Sequence, residues 1–267
     1  MRRNKFGRFA KSIIIIVCVM TSKGFAVSPW DSPLDINLVR ITNQDKGEGT
    51  DIQKLEDKCL ELLRDHNSPE DKGKIYAKIA FMYSGKGYSS PNDIRISKTL
   101  EYCNNALKQP LDSITTAEMY SRLASAQMAY KFNGNEKEFA AARHEAIINA
   151  LKGLKLVLDN NAPKEWKGPP TGTIYHYFGE PNDPYRKIIQ KKMEEQIANR
   201  KKWDDEQKLY FLRKSLIDGC ANSYAYKSPH DMNELENSAR DILKGHNDAI
   251  DEIMSKVNER IPKQKNK

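Results

Sequence analysis

Ile75-Tyr76-Ala77-Lys78-Ile79-Ala80 and Met119-Tyr120-Ser121-Arg122-Leu123-Ala124 are two versions of one hexapeptide, separated by 44 positions. Further along the chain, Asn105-Ala106-Leu107-Lys108 returns as Asn149-Ala150-Leu151-Lys152, again 44 positions later. Two matches with the same spacing and no gap indicate an internal repeat. A period of this size is typical of helical hairpins stacked side by side. The repeat therefore predicts an all-α fold of antiparallel hairpins that form a short solenoid.

The spacing of apolar residues and the signals for helix starts extend this pattern along the chain. We predict an array of 44-residue repeats over residues 51–159 and further helical hairpins over 184–261. Proline and glycine residues disfavour regular structure in two places. These are an extended N-terminal segment at 27–50 and a long loop, rich in aromatic residues and proline, at 160–183. A basic tail occupies residues 262–267.

The C-terminal part is expected to hold three helices. The first begins at Asp183-Pro184, and the second begins near Trp203. The last carries an apolar stripe between residues 232 and 257, and Gly245 and Asn247 are points at which it could kink or split. Since the stripe is broad, we expect it to face the core as a cap.

The first 26 residues have the pattern of a secretory signal peptide. Five basic residues precede an apolar stretch at 13–20, and Gly24-Phe25-Ala26 predicts cleavage after Ala26. A bilayer span needs about 20 apolar residues, more than this stretch provides. We therefore expect an exported protein, periplasmic or extracellular, with no transmembrane segment after cleavage. An uncleaved anchor is the alternative.

The charge balance argues against nucleic acid as a partner. The chain carries 44 Lys and Arg residues against 36 Asp and Glu residues, a net charge of +8. Six of the basic residues and no acidic residue lie in the predicted signal peptide, so the mature chain would carry +2. Nucleic-acid binding relies on a basic patch, whereas this chain has a nearly balanced mixture.

The three cysteines beyond the predicted signal peptide are Cys59, Cys103 and Cys220. Cys59 and Cys103 are also 44 positions apart, so they occupy equivalent positions of successive repeats. Equivalent positions on packed helices are about 8–10 Å apart. Because a disulfide needs Cα atoms within about 7 Å, we expect buried thiols in preference to a bridge.

The repeats resemble tetratricopeptide hairpins. The residues that match the first helix of that family are Tyr76, Ile79, Ala80 and Tyr83. Ala106-Leu107 and Pro110 match the end of its second helix, while Gln127 replaces the last aromatic residue in the second unit. The family repeat is about 34 residues long, so other hairpin families, including the Sel1-like type, stay open. The resemblance implies a scaffold or adaptor that binds another protein or peptide in a concave groove. We expect no cofactor.

Two sets of residues are candidates for the binding site. The first set lies on the first helices of the hairpins: Tyr76, Tyr83, Tyr120 and Gln127. The second set lies in the long loop: Trp166, Tyr175, His176, Tyr177 and Phe178. Either set could instead pack in a core, since aromatic residues at helical spacing commonly do so.

The chain shows no catalytic motif and no metal-ligand motif, so we expect a non-catalytic binding protein. The alternative is a glycan-binding or glycan-active envelope protein centred on residues 165–183, because its aromatic residues could stack on sugars and its carboxylates could converge. A third hypothesis is a structural envelope component that docks through the last helix. An exposed apolar stripe on that helix would support it.

Overall fold

A computed structural model of the 267-residue chain describes residues 32–43, 51–84, 93–129, 136–165, 186–225 and 232–261. Over these ranges the protein is all-α, as predicted, and contains no strand. The helices are α1 (Pro33–Asn43), α2 (Ile52–Glu61), α3 (Pro69–Ser84), α4 (Ile94–Leu107), α5 (Ser113–Ala129), α6 (Glu136–Asp159), α7 (Arg186–Ala225), α8 (Met232–Ile242) and α9 (Asn247–Arg260). A short 3-10 turn, Leu62–Arg64, extends α2.

From α1 to α7 the helices pack in the order expected of stacked hairpins. Each of these helices contacts the next one along the described chain, and the most extensive contacts join α3 to α4 and α5 to α6. At the C-terminal end the order changes, because α7 packs on α9, while α8 packs on α6 and α9. In addition, α3 contacts α5, and α5 contacts α7. The first helices of successive hairpins therefore share one layer.

Helix α5 joins two apolar cores. One core runs from α1 to α5 and receives Met119 and Leu123 from α5. The other runs from α5 to α9 and receives Ala117 and Ala124. Because these side chains point to opposite sides of α5, this helix connects the N-terminal and C-terminal halves of the structure.

The 44-residue repeat is visible in the burial of equivalent residues. Ala106 and Ala150 are both buried, and the Cys59 and Cys103 side chains have no exposed surface. Both cysteines are free thiols, as predicted. Burial raises the pKa of Cys59 to about 11 and that of Cys103 to about 12, so both thiols stay protonated at neutral pH.

The sequence specifies where several helices begin. The Asp51 carboxylate accepts a hydrogen bond from the Lys54 amide, and Asp93 accepts one from the Arg95 amide. The Ser68 hydroxyl caps α3 by accepting from the Asp71 amide at 3.1 Å. Such caps satisfy amide groups that have no partner inside the helix.

The prediction of an extended segment over 27–50 is wrong for residues 33–43, which form α1. Ser32 and Asp35 cap each other reciprocally, since each side chain accepts a hydrogen bond from the other residue's amide at 3.2 Å. Pro33 occupies the first helical position, where its missing N–H costs nothing. Leu34 and Leu38 are buried in the first core, and this packing stabilises the short helix.

Two predicted C-terminal helices are one helix in the structure. Helix α7 runs through the predicted boundary near Trp203, where neither glycine nor proline interrupts the sequence. In contrast, the expected split of the last helix is confirmed: Gly245 has a φ of +88° between α8 and α9. The apolar stripe faces the core as predicted, with Leu235 and Ile253 among its buried members.

Other predicted regions lie outside the described residues. These are the signal peptide at 1–26, the basic tail at 262–267, and the long loop beyond residue 165.

Gly153 allows α6 to approach its neighbours closely. A Cβ atom at this position would lie 3.1 Å from Leu216 Cδ2 and 3.1 Å from Tyr120 Cβ. It would also lie 3.3 Å from the carbonyl oxygen of Ala117. Backbone and side chains of α5 and α7 therefore occupy the space that a larger residue would need.

We expect Gly153→Leu to lower the free energy of unfolding by about 1–3 kcal/mol, because the added atoms overpack the second core. Urea denaturation followed by circular dichroism measures the change. Gly219→Ala in α7 is the control, since a Cβ atom added at that position would meet no other atom within 4 Å. Removing a glycine from a helix interior stabilises by up to about 1 kcal/mol, so equal destabilisation by both variants would contradict this account of the packing.

Candidate functional site

An open cleft lies where α3, α5 and α7 meet. Its volume is about 720 Å³, and its lining includes Ser84 from the end of α3. Helix α5 contributes Glu118 and Arg122, while α7 contributes Lys208 and Phe211. The cleft therefore lies on the layer formed by the first helices of the hairpins.

Aromatic and basic side chains meet at the end of this cleft. The Arg122 guanidinium lies 4.4 Å from the centroid of the Phe81 ring, and the Lys78 ammonium lies 5.3 Å from it. Arg122 Nη1 also donates a hydrogen bond to Ser84 Oγ at 2.5 Å. A cation over an aromatic face is attracted by the ring's quadrupole. These contacts orient the basic groups while leaving the ring 39% exposed.

The electrostatic environment of the cleft is mainly positive. Burial lowers the pKa of Lys78, and the charges of Arg122 and Lys208 lower it further. Cys59 and Glu118 act in the opposite direction. Arg122 and Lys208 are thus close enough to Lys78 for their charges to act on it.

The first set of predicted site residues faces the second helices of the hairpins, away from the cleft. Tyr83 is only 4% exposed, and its ring stacks on Tyr102 of α4 at a centroid distance of 6.4 Å. Tyr76 is half-buried and lies 6.1 Å from the same Tyr102 ring. Tyr120 is half-buried beside Gly153 of α6.

Gln127 likewise faces α6. It donates a hydrogen bond to Glu145 at 3.1 Å and accepts one from Asn149 at 3.0 Å. The second set of candidates, Trp166, Tyr175, His176, Tyr177 and Phe178, lies outside the described residues. The structure therefore does not bring the two predicted sets together.

Sequence reasoning missed Lys78, Phe81, Arg122, Lys208 and Phe211 as candidate contacts. A signal for two of them was present, because Lys78 and Arg122 are equivalent residues of the repeat and both are basic. Phe81 also falls outside the apolar stripe that contains the buried Ile75 and Ile79.

Tyr83 belongs to a buried polar cluster centred on Glu56. The Glu56 side chain accepts hydrogen bonds from the hydroxyls of Tyr83 and Tyr102 and from Lys98 Nζ, the last at 2.8 Å. Burial disfavours the charged carboxylate, but these three donors outweigh it and lower the pKa of Glu56. Burial and the neighbouring carboxylate raise the pKa of both tyrosines. The cluster therefore stays ionised at Glu56 and joins α2, α3 and α4.

A smaller cavity of about 320 Å³ lies between α6, α7 and α8. Its lining includes Arg143, Tyr224 and the pair His144 and Glu234, whose Nδ1 and Oε1 atoms are 3.4 Å apart. Among the described residues, no three His, Cys, Asp or Glu side chains are grouped as a metal site would require.

Comparisons of the chain with protein-family models, with curated proteins and with solved structures found no match. Within the described ranges, none of the helices combines the length and apolar character needed to cross a membrane.

The Glu56 cluster predicts a specific loss of stability in acid. The lowered pKa of Glu56 means that its contribution is complete above the unfolded-state value, near 4.5, and is lost as the pH falls through the folded-state value. We expect the free energy of unfolding of the wild-type protein to fall more steeply below about pH 5 than that of Glu56→Gln. Urea titrations at a series of pH values measure both curves. Parallel curves would contradict the account, because the other carboxylates are common to both proteins.

Proposed function

We propose that this protein is an exported, non-catalytic scaffold or adaptor with tetratricopeptide-like hairpins. In this proposal it holds a partner protein or peptide in the cleft between α3, α5 and α7. The observation that carries the proposal is the pair of exposed phenylalanine rings, Phe81 beside the cleft and Phe211 in its lining.

Exposure of these two rings is unusual in the described part of the protein. The large apolar side chains that stand out as exposed there are Phe81, Ile94, Phe211 and Ile261. Two of the four are at one cleft, next to Arg122. Full burial of a phenylalanine side chain contributes about 1.5–3 kcal/mol, so two rings could supply a useful part of a binding energy. Aromatic and arginine side chains are also enriched at the energetic centres of protein interfaces.

The arrangement of the helices supports the tetratricopeptide-like interpretation. Helices α3 and α5, the first helices of two successive hairpins, share a layer with α7, and the cleft lies on that layer. Stacked hairpins commonly use such an extended surface for binding, and the protein needs no chemistry of its own for that role.

Export is the part of the proposal that comes from the sequence at 1–26. We expect the protein isolated from the envelope or the medium to begin at Val27, because the residues before it form a basic, apolar and small-residue pattern in the order a signal peptidase requires. N-terminal sequencing of that protein is the measurement. Recovery of a chain that still carries residues 1–26 from the cytoplasm would contradict export.

The cleft itself is tested by removing its aromatic rings. We expect Phe81→Ser with Phe211→Ser to reduce capture of partner proteins from native extract by tenfold or more, about 1.4 kcal/mol, because both apolar anchors are lost. Cross-linking followed by quantitative mass spectrometry measures the captured proteins.

The matched control is Ile94→Ser, which removes an exposed apolar side chain from α4, outside the cleft lining. Circular dichroism establishes that the variants keep their helix content. Equal capture by the wild type and the double variant, or an equal loss with Ile94→Ser, would refute the assignment of the cleft.

A further inference from the structure

We infer that the segment held in the cleft is acidic: a stretch of a partner protein in which Asp or Glu residues flank an apolar side chain. This inference rests on the proposed function and adds the chemical class of the partner. The apolar side chain would lie against Phe81 and Phe211, and the carboxylates would lie against the neighbouring basic groups.

The charges on the cleft are unbalanced. Arg122 and Lys208 line the cleft, and Lys78 lies close enough to both for their charges to lower its pKa. Glu118 is the one carboxylate among the described lining residues of the cleft. A partner approaching this surface therefore meets an excess of positive charge. Complementary charge on the partner would speed association and exclude basic competitors.

Lys208 is the basic group best placed to receive a carboxylate. Its side chain is exposed in the lining, and within the described part of the chain no Asp or Glu oxygen forms an ion pair with it. Arg122 is held in place by Ser84 and by the Phe81 ring. A guanidinium whose position is already fixed loses less conformational entropy when it binds a carboxylate.

The geometry favours a protein segment over a nucleic acid. Nucleic-acid grooves follow the phosphate backbone with many cations along their length. Here two of the three cations, Lys78 and Arg122, lie over one exposed ring, and serine residues from α3, α5 and α7 occupy much of the remaining lining. A short mixed segment, apolar at its centre and acidic beside it, fits this distribution.

The test uses the full-length chain and three fluorescent 12-residue peptides that share one central Leu-Phe pair. One peptide has Asp and Glu flanks, one has Ser and Gln flanks, and one has Lys flanks. A 12-residue thymidine oligonucleotide is the fourth probe. We expect the acidic peptide to bind about tenfold or more tightly than the other three by fluorescence anisotropy, with affinity that falls as salt rises.

Charge reversal identifies the contact. Lys208→Glu should weaken the acidic peptide about tenfold and strengthen the Lys-flanked peptide. Lys214→Glu is the control, because it makes the same change in net charge at an exposed lysine of α7 outside the cleft lining. An equal effect of both reversals would overturn the inference, since the response would then follow net charge alone.

The outcomes separate this inference from the proposed function. The neutral peptide could bind as tightly as the acidic one, and the double variant Phe81→Ser with Phe211→Ser could abolish the binding of both peptides. In that case the cleft holds a partner, but the acidic character of the partner segment is refuted. Tighter binding of the oligonucleotide, lost with Lys208→Glu, would overturn the inference in favour of a nucleic acid. If none of the peptides binds, the inference fails, and the capture experiment with the double phenylalanine variant decides the proposed function independently.

Discussion

The packing of α5 on both of its sides is the constraint on which the rest of the structure depends. Met119 and Leu123 enter the first core, whereas Ala117 and Ala124 enter the second. The two alanines leave little side-chain bulk on the second side, and Gly153 of α6 approaches there within contact distance of α5 and α7. Close packing of this kind has little room for extra atoms. Because α5 is fixed against both α3 and α7, the three helices form a cleft with defined walls.

The first two repeat units satisfy the polar groups between their helices in different ways. In the first unit, the buried Glu56 carboxylate accepts hydrogen bonds from Tyr83, Tyr102 and Lys98. The free-energy cost of removing its charge from water is offset only when such donors are present. In the second unit, Gln127 stands at the position equivalent to Tyr83 and bonds Glu145 and Asn149 of α6. The same position of the repeat therefore links the first helix of a hairpin to the second in both units. These contacts hold the hairpin together, while the neighbouring surface of the first helix, which includes Phe81, is exposed.

That neighbouring surface combines two kinds of interaction that act over different distances. The positive charges of Lys78, Arg122 and Lys208 can attract a partner over several ångströms, although salt screens them. The rings of Phe81 and Phe211 act only on contact, by removing apolar surface from water. A site built in this way would gain association rate and selectivity from its charges and most of its binding energy from its rings. The buried Glu56 cluster, whose groups are held by one another, does not contribute to this surface.

The sequence alone determined the helical class, the capped starts of several helices and the burial of Cys59 and Cys103, because apolar periodicity, capping residues and the 44-residue spacing are local properties of the chain. It also located the split at Gly245, where a positive φ favours glycine. Tertiary structure alone decided that α1 forms, since burial of Leu34 and Leu38 stabilises a segment that looked extended. It also decided which side of each first helix is exposed. Tyr76 and Tyr120 are aromatic residues at the spacing that contacts in a binding groove would show. They face α4 and α6, however, while Phe81 faces solvent. Periodicity identifies an apolar stripe, but the crossing of neighbouring helices determines how much of each helix that stripe leaves uncovered.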